Sequence, residues 1–306
     1  MKQISIKNII DFLSDKLISV YGNYSDLYIT NLSDVENVNQ DSLDWVPINK
    51  INKQEIVESS KARCILVDKS VKYSQKLINL KKVLLVVANP KCSLAEIGNH
   101  FFVVKRYCEI HPTAIIDKDA KIGKNVYIGP YCVIGKSIIG DECIIDSSVR
   151  IFDNVTLGNN CNVKSYAVLG GEGFGFETDE YGNKFRFPQI GNLIIGHHVE
   201  IGANSCIDRG ALSNTIIGDY TKINNLCHIA HNNKIGKNVT IAGCVNISGG
   251  NIIEDDVWIA PNSSLRGYIH LGKGCVVGMG AVVTKNIPDG ETWIGNPAHK
   301  MDRLFK

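Results

Sequence analysis

From Ile217 to Val283 an aliphatic residue recurs at every sixth position: Ile217, Ile223, Ile229, Ile235, Ile241, Ile247, Ile253, Ile259, Leu265, Leu271, Val277 and Val283. A helix repeats near 3.6 residues, so a stripe with a period of six would drift around it. The period predicts a coil of short, flat strands, each hexad placing one aliphatic side chain inside, so that only stacked coils bury the core of a parallel β-helix. The register extends backwards. Ile110, Ile116, Ile122, Ile128 and Ile134 keep step, and one residue is then lost. Ile139, Ile145, Ile151, Leu157, Val163 and Leu169 resume the series, and Ile195, Ile201 and Ile207 carry it on after a long insertion. At three hexads per coil this predicts a prism of nearly nine coils, about 40 Å long. Glycine often follows the aliphatic residue, as in Ile122-Gly123, Ile128-Gly129, Ile201-Gly202 and Ile235-Gly236, which reads as tight corners.

The first 105 residues lack this period. Ile6, Ile9, Ile10, Leu13 and Leu17 stand at helical spacing, Tyr28-Ile29-Thr30 reads as a strand, and a polar helical stretch precedes the apolar strands Cys64 to Val67 and Val83 to Val87. This alternation predicts a small α/β domain over 1–105, with Asn89-Pro90 opening the segment that leads out of it. The β-helix is expected over 106–290, with His111-Pro112 at its first corner. The prolines and glycines from Pro288 to Pro297 end the coil, leaving a short basic tail over 291–306.

A net charge of +2 offers no field for nucleic acid, and no segment has the form of a signal peptide or a bilayer-spanning helix, so a cytoplasmic protein is expected. Of ten cysteines, Cys132, Cys143, Cys161, Cys227 and Cys275 fall four places after an aliphatic rung residue. That is a slot for a compact hydrophobe, and no CxxC pair marks a metal or redox site.

Two insertions interrupt the hexads, and loops ejected from a rigid scaffold are natural places for function. The longer runs from Gly170-Gly171-Glu172-Gly173-Phe174-Gly175-Phe176 to Phe187-Pro188-Gln189. Its glycines do not match the dinucleotide fingerprint GxGxxG, and the aromatics suit a loop that closes over a flat ligand. The shorter is Asp208-Arg209-Gly210-Ala211-Leu212.

The Gly170–Phe176 run, Pro188-Gln189-Ile190-Gly191, Val199 to Asn204, Ile207 to Leu212 and His228-Ile229-Ala230-His231-Asn232 occur in one order. Together they resemble the UDP-3-O-acylglucosamine N-acyltransferases of lipid A synthesis, over most of the chain. The resemblance implies a left-handed β-helix, a uridine-nucleotide-binding N-terminal domain, and a homotrimer with active sites between neighbouring prisms. The end of the chain departs from that family. Gly278 to Val283 and Gly295-Asn296-Pro297-Ala298 look like acetyl-CoA-dependent sugar acetyltransferases, and the family's C-terminal helical extension, associated with acyl carrier protein, is missing.

The expected reaction is therefore N-acylation of a nucleotide-linked amino sugar, UDP- or dTDP-bound, for surface polysaccharide such as O-antigen. A short acyl-CoA such as acetyl-CoA is the expected donor, with no permanent cofactor. The alternative is the lipid A enzyme's own reaction, with an acyl carrier protein thioester. A thioester is already activated, so the enzyme's task is proton removal near neutral pH, for which histidine is suited. His231 matches the family's base, Asn224 replaces an aspartate placed beside it, and Gly249, one coil on, matches a glycine whose N–H supports the oxyanion. Expected substrate contacts are Trp45 near the base, Phe174, Phe176, Gln189, His228, Asn232 and Tyr268. Lys285, Asn296, Pro297 and Lys300 are expected along CoA. A zinc site of the γ-carbonic-anhydrase type is not expected, because His228 and His231 are separated by two residues rather than four. A nonenzymatic sugar-binding scaffold is the rival of a different class.

Overall fold

The computed structural model describes residues 3–32, 36–104, 106 and 108–300. The chain divides into two compact units, Met1–Lys105 and Arg106–Lys306.

In the first unit, five strands lie in the order Leu17–Tyr21, Val83–Val87, Cys64–Val67, Ser42–Trp45 and Asn31–Leu32. Leu17–Tyr21 is antiparallel to its neighbour and the other pairings are parallel. Cys64–Val67 and Val83–Val87 are buried at every position, as expected of central strands covered on both faces. Two expectations change here. The first helix spans only Ile6–Leu13, because Ser14 turns into the left-handed region (φ 42°) and Leu17 begins a strand. Asn89-Pro90 does not lead out of the domain but starts the helix Pro90–Ile97: Asn89 accepts a hydrogen bond from the Cys92 N–H, and proline occupies the first turn.

The second unit is a left-handed parallel β-helix. One coil supplies Tyr127–Ile128 to a first face, Val133–Ile134 to a second and Ile138–Ile139 to a third. Among the described residues the three faces hold ten, nine and eight strands. Rung residues from Ile128 to Val283 are essentially buried, as are Cys132, Cys143, Cys161, Cys227 and Cys275 in the slot read for them. Each buried aliphatic contributes roughly 1.5–3 kcal/mol, but only with a coil above and below it. At the first coil this support is missing, and Ile110 is half exposed.

The glycine reading is corrected by the backbone. Gly123, Gly129, Gly202 and Gly236 do not occupy the left-handed region; residues two places later do, such as Asn125, Tyr131, Asn204 and Asn238. These glycines are needed because the next coil passes too close. A Cβ on Gly123 would lie 2.7 Å from Asp141 N, and one on Gly129 2.8 Å from Ser147 N. The coil also runs beyond 290: Thr292–Ile294 pairs in parallel with Val276–Val277, and His299–Lys300 folds back antiparallel on it. Of the tail expected over 291–306, residues 291–300 thus belong to the coil, and 301–306 lie outside the described residues.

Candidate functional site

The corner between the second and third faces repeats every eighteen residues through His231, Gly249, Gly267 and Lys285. Below it the interior slot holds asparagine instead of an apolar residue. Asn233 Nδ2 donates to the carbonyls of Ala230 (2.6 Å) and Ser248 (3.1 Å), and its Oδ1 accepts from the Asn251 N–H (3.0 Å). Asn251 repeats the pattern one coil on, donating to Ser248 O (2.6 Å) and accepting from the Ile269 N–H (2.9 Å). This fully bonded ladder stiffens the corner that carries His231.

His231 Nδ1 lies 2.8 Å from Asn232 Oδ1. Asn232 is in the left-handed region (φ 63°), and its amide is held by the shorter insertion. Nδ2 donates to Ser213 Oγ (2.6 Å) and Oδ1 accepts from the Ala211 N–H (3.1 Å). The amide orientation is thus set, and an oxygen that accepts from Ala211 also accepts from Nδ1–H. The imidazole proton therefore sits on Nδ1 and Nε2 keeps its lone pair. The ring lies between two glycines: a Cβ on Gly249 would be 3.1 Å from Nε2, and one on Gly173 2.7 Å from Cδ2. Among the described residues none accepts from the Gly249 N–H.

The longer insertion supplies Gly173 and then the exposed hairpin Phe176–Thr178 with Lys184–Arg186. Arg186 bridges back, donating to Gly173 O (3.2 Å) and pairing with Glu172 (3.6 Å). Phe174, largely exposed, meets Phe176 edge to face at 5.0 Å. Gln189 is buried, with its Nε2 on Phe187 O (3.3 Å) and its Oε1 without a hydrogen-bond partner among the described residues. The Gly173 Cβ position lies 2.7 Å from that Oε1, so Gln189 and the His231 ring border the same point.

Sequence reasoning missed Asp208, which ends the strand Cys206–Asp208. Parallel pairing of Ile207 with Ile229 puts it one residue ahead of the His231 corner, on the neighbouring coil. It is nine-tenths buried, with its Oδ2 3.9 Å from His228 Nε2. Burial pushes its carboxyl up to about 6, against the weaker pull of His228 and His231. The available signal was an acidic residue directly after a rung position at the mouth of an insertion. The interior asparagines were legible in the same way, as amides in an apolar slot.

Not every expected residue belongs here. Asn224 occupies the preceding corner, between the first and second faces, and spends its Oδ1 on the Asn225 N–H (2.8 Å). Within one chain Asn232, expected to touch substrate, takes the place at Nδ1 that Asn224 was expected to fill. Asn224 lines a separate cleft of about 690 Å³ with Lys164, Glu200, Lys222 and Trp258. Tyr268 and Lys285 share a cleft of about 670 Å³ with Arg266, along the His231 corner. Asn296 and Pro297 follow a first-face strand, at another corner from Lys285, while Lys300 pairs with Glu291 (2.6 Å). These four residues therefore do not form one track. In the first unit Trp45 lines a cleft of about 380 Å³ with Asp44, Lys50 and Lys61. Among the described residues no cluster of metal-ligating side chains occurs, and no helix is long and apolar enough to cross a membrane.

Residues 103–136 and 252–285 match the model of the bacterial transferase hexapeptide family. Two relatives bear the name UDP-3-O-acylglucosamine N-acyltransferase. That of Francisella tularensis is 37% identical, covering 99% of this chain and 92% of the relative. That of Coxiella burnetii is 34% identical, covering 84% and 79%. Among solved structures, UDP-N-acetylglucosamine O-acyltransferase from Moraxella catarrhalis superposes with a TM-score of 0.58 at 29% identity, over 63% of this chain and 73% of that one. The UDP-N-acetylglucosamine acyltransferase of Francisella novicida gives 0.57 at 26%, over 63% and 68%.

Proposed function

Because the chain belongs to the UDP-3-O-acylglucosamine N-acyltransferase family and is an acyltransferase, we propose that it acylates the amine of UDP-3-O-acylglucosamine, with His231 as general base. The observation that carries this reading is the His231–Asn232 hydrogen bond, which leaves Nε2 unprotonated beside Gly249. The amine attacks the thioester carbonyl, the Gly249 N–H supports the oxyanion, Nε2 takes the nitrogen's proton, and the imidazolium returns it to the departing thiolate.

Of the two donors weighed from sequence, the relatives' names favour the alternative. We assign the donor as a 3-hydroxyacyl group on acyl carrier protein rather than a short acyl-CoA, and the pathway as lipid A synthesis rather than O-antigen. We further assign the uracil to the cleft of Trp45, where an indole face suits a flat base. The Tyr268–Lys285 cleft, with Arg266, suits the phosphates of the pantetheine arm or the nucleotide.

The experiment is a matrix of donors and acceptors read by product mass. Acyl carrier protein thioesters and acetyl-CoA are each offered UDP-3-O-acylglucosamine and unacylated UDP- and dTDP-amino sugars. The expected product carries one added hydroxyacyl group that resists hydroxylamine, as an amide does and an ester does not. Turnover with acetyl-CoA and an unacylated amino sugar alone overturns the assignment.

A further inference from the structure

An amino-sugar acceptor differs from a hydroxyl acceptor in proton count. Next to electron-withdrawing oxygens, such an amine titrates near an α-amino group, at about 7.7–8, and arrives mainly as ammonium at neutral pH. Two protons must leave before an amide exists, and His231 Nε2 accepts one at a time.

The site offers acceptors that lack donors. The Asp208 carboxylate is nine-tenths buried and accepts no hydrogen bond among the described residues. Gln189 is 6% exposed, with an Oε1 that has no partner among the described residues, and the hydrogen bond of the His231 ring is made at Nδ1, leaving Nε2 as the third acceptor. The three side chains line the stretch from Gly171 to Gly173: a Cβ on Gly171 would meet Asp208 Oδ1 at 3.7 Å, and one on Gly173 would meet Gln189 Oε1 and the His231 ring at Cδ2, each at 2.7 Å, with Nε2 the next ring atom. An ammonium carries three N–H donors and a positive charge, which answers three orphaned acceptors of which one is an anion.

We propose that the acceptor binds as its ammonium form, held by Asp208, Gln189 and His231, and that Asp208 takes its first proton. This rests on the N-acyltransferase reading above. The N–H bond breaks to Asp208, giving a carboxylic acid and a neutral amine whose lone pair attacks the thioester. The second proton goes to His231 and then to the thiolate. Asp208 returns its proton to solvent through His228, whose side chain is half exposed 3.9 Å away, so each turnover releases one proton, amide and thiol.

The groups that face Asp208 suit this task. His228 and His231 stand on the following coil, and the preceding coil contributes glycine backbone. Cys206 on its own strand is a thiol whose pKa is raised by burial and by the carboxylate charge. The guanidinium of Arg209 is engaged by Gly170 O (2.8 Å) and Asp153 O (2.9 Å).

The test is the pH profile of kcat/KM for UDP-3-O-acylglucosamine with saturating thioester, in the wild type and Asp208→Asn. The wild type holds its activity down towards pH 6. The variant must wait for free amine, so the ratio is on the order of 20-fold at pH 6.5 and narrows to about one by pH 9. A ratio constant across pH, as loss of mere packing would give, overturns the proposal. Should the variant fail to fold, acceptor affinity in the wild type without donor decides. Affinity that weakens above about pH 8 supports an ammonium ligand, and affinity that strengthens there overturns it. Absence of both binding and product at every pH removes the function reading itself, whereas parallel profiles remove only this inference.

Discussion

At the residue scale the site sets a single base whose tautomer is chosen by its neighbour in sequence. His231→Ala is expected to lose at least about a hundredfold in turnover while folding normally, the usual range for a general base being roughly 10²–10⁴. Steady-state kinetics beside a circular dichroism spectrum checks this. Asn232→Ala removes the acceptor at Nδ1, and a hydrogen bond to a group that becomes charged is worth roughly 1.5–3 kcal/mol. Its kcat is expected to fall about 10- to 150-fold with the acceptor KM little changed. Asp208 makes a stability prediction with a definite sign. Its carboxyl is raised from 3.8 to about 6 in the folded chain, so folding favours the protonated form. The burden of the buried charge is full above pH 6, shrinks as pH falls, and vanishes below 3.8. Asp208→Asn is therefore expected to unfold at higher denaturant than the wild type at pH 8, by up to about 3 kcal/mol, and to converge with it near pH 4. A variant less stable at pH 8 would contradict this.

At the element scale, the corner under His231 is held by amides where other corners use thiols, aliphatics or the hydroxyls of Ser205, Thr221 and Ser263. Cys132 and Cys143 fill the slot that Asn233 and Asn251 fill here, and the asparagines bond across coils as well as within them. Asn233→Ala leaves the Ala230 carbonyl and the Asn251 N–H without this partner, and roughly 1–3 kcal/mol per orphaned group is expected to be lost. A lower melting temperature with activity falling alongside it is the expected readout; unchanged stability would mean that the ladder is decorative. The two insertions divide the work. The shorter clamps Asn232 through Ala211 and Ser213, and the longer lays Gly173 against the imidazole.

At the scale of the whole molecule, each coil of the β-helix is supported only by its neighbours. A base placed mid-stack has coils on both sides, whereas the first coil leaves Ile110 half exposed. The resemblance read from the sequence implies a homotrimer, which is a prediction for the whole molecule. Light scattering of purified protein is expected to give about three times the 33.6 kDa chain mass. A monomer at working concentrations would leave one chain to complete the site.

The six-residue period settled the β-helix and its buried rungs before any coordinates, because an interior with room for one side chain per strand admits few others. His231 and Gly249 were legible in the same register, since an eighteen-residue separation is one coil. Folding alone decided what touches the imidazole. Asn232 rather than Asn224 meets Nδ1 because corners turn between adjacent residues, so seven positions carry the chain onto another edge. Asp208 became visible only when parallel pairing set it against the next coil and withdrew it from water. Spacing along a chain gives register, but desolvation and the direction of a lone pair are properties of the packed coil.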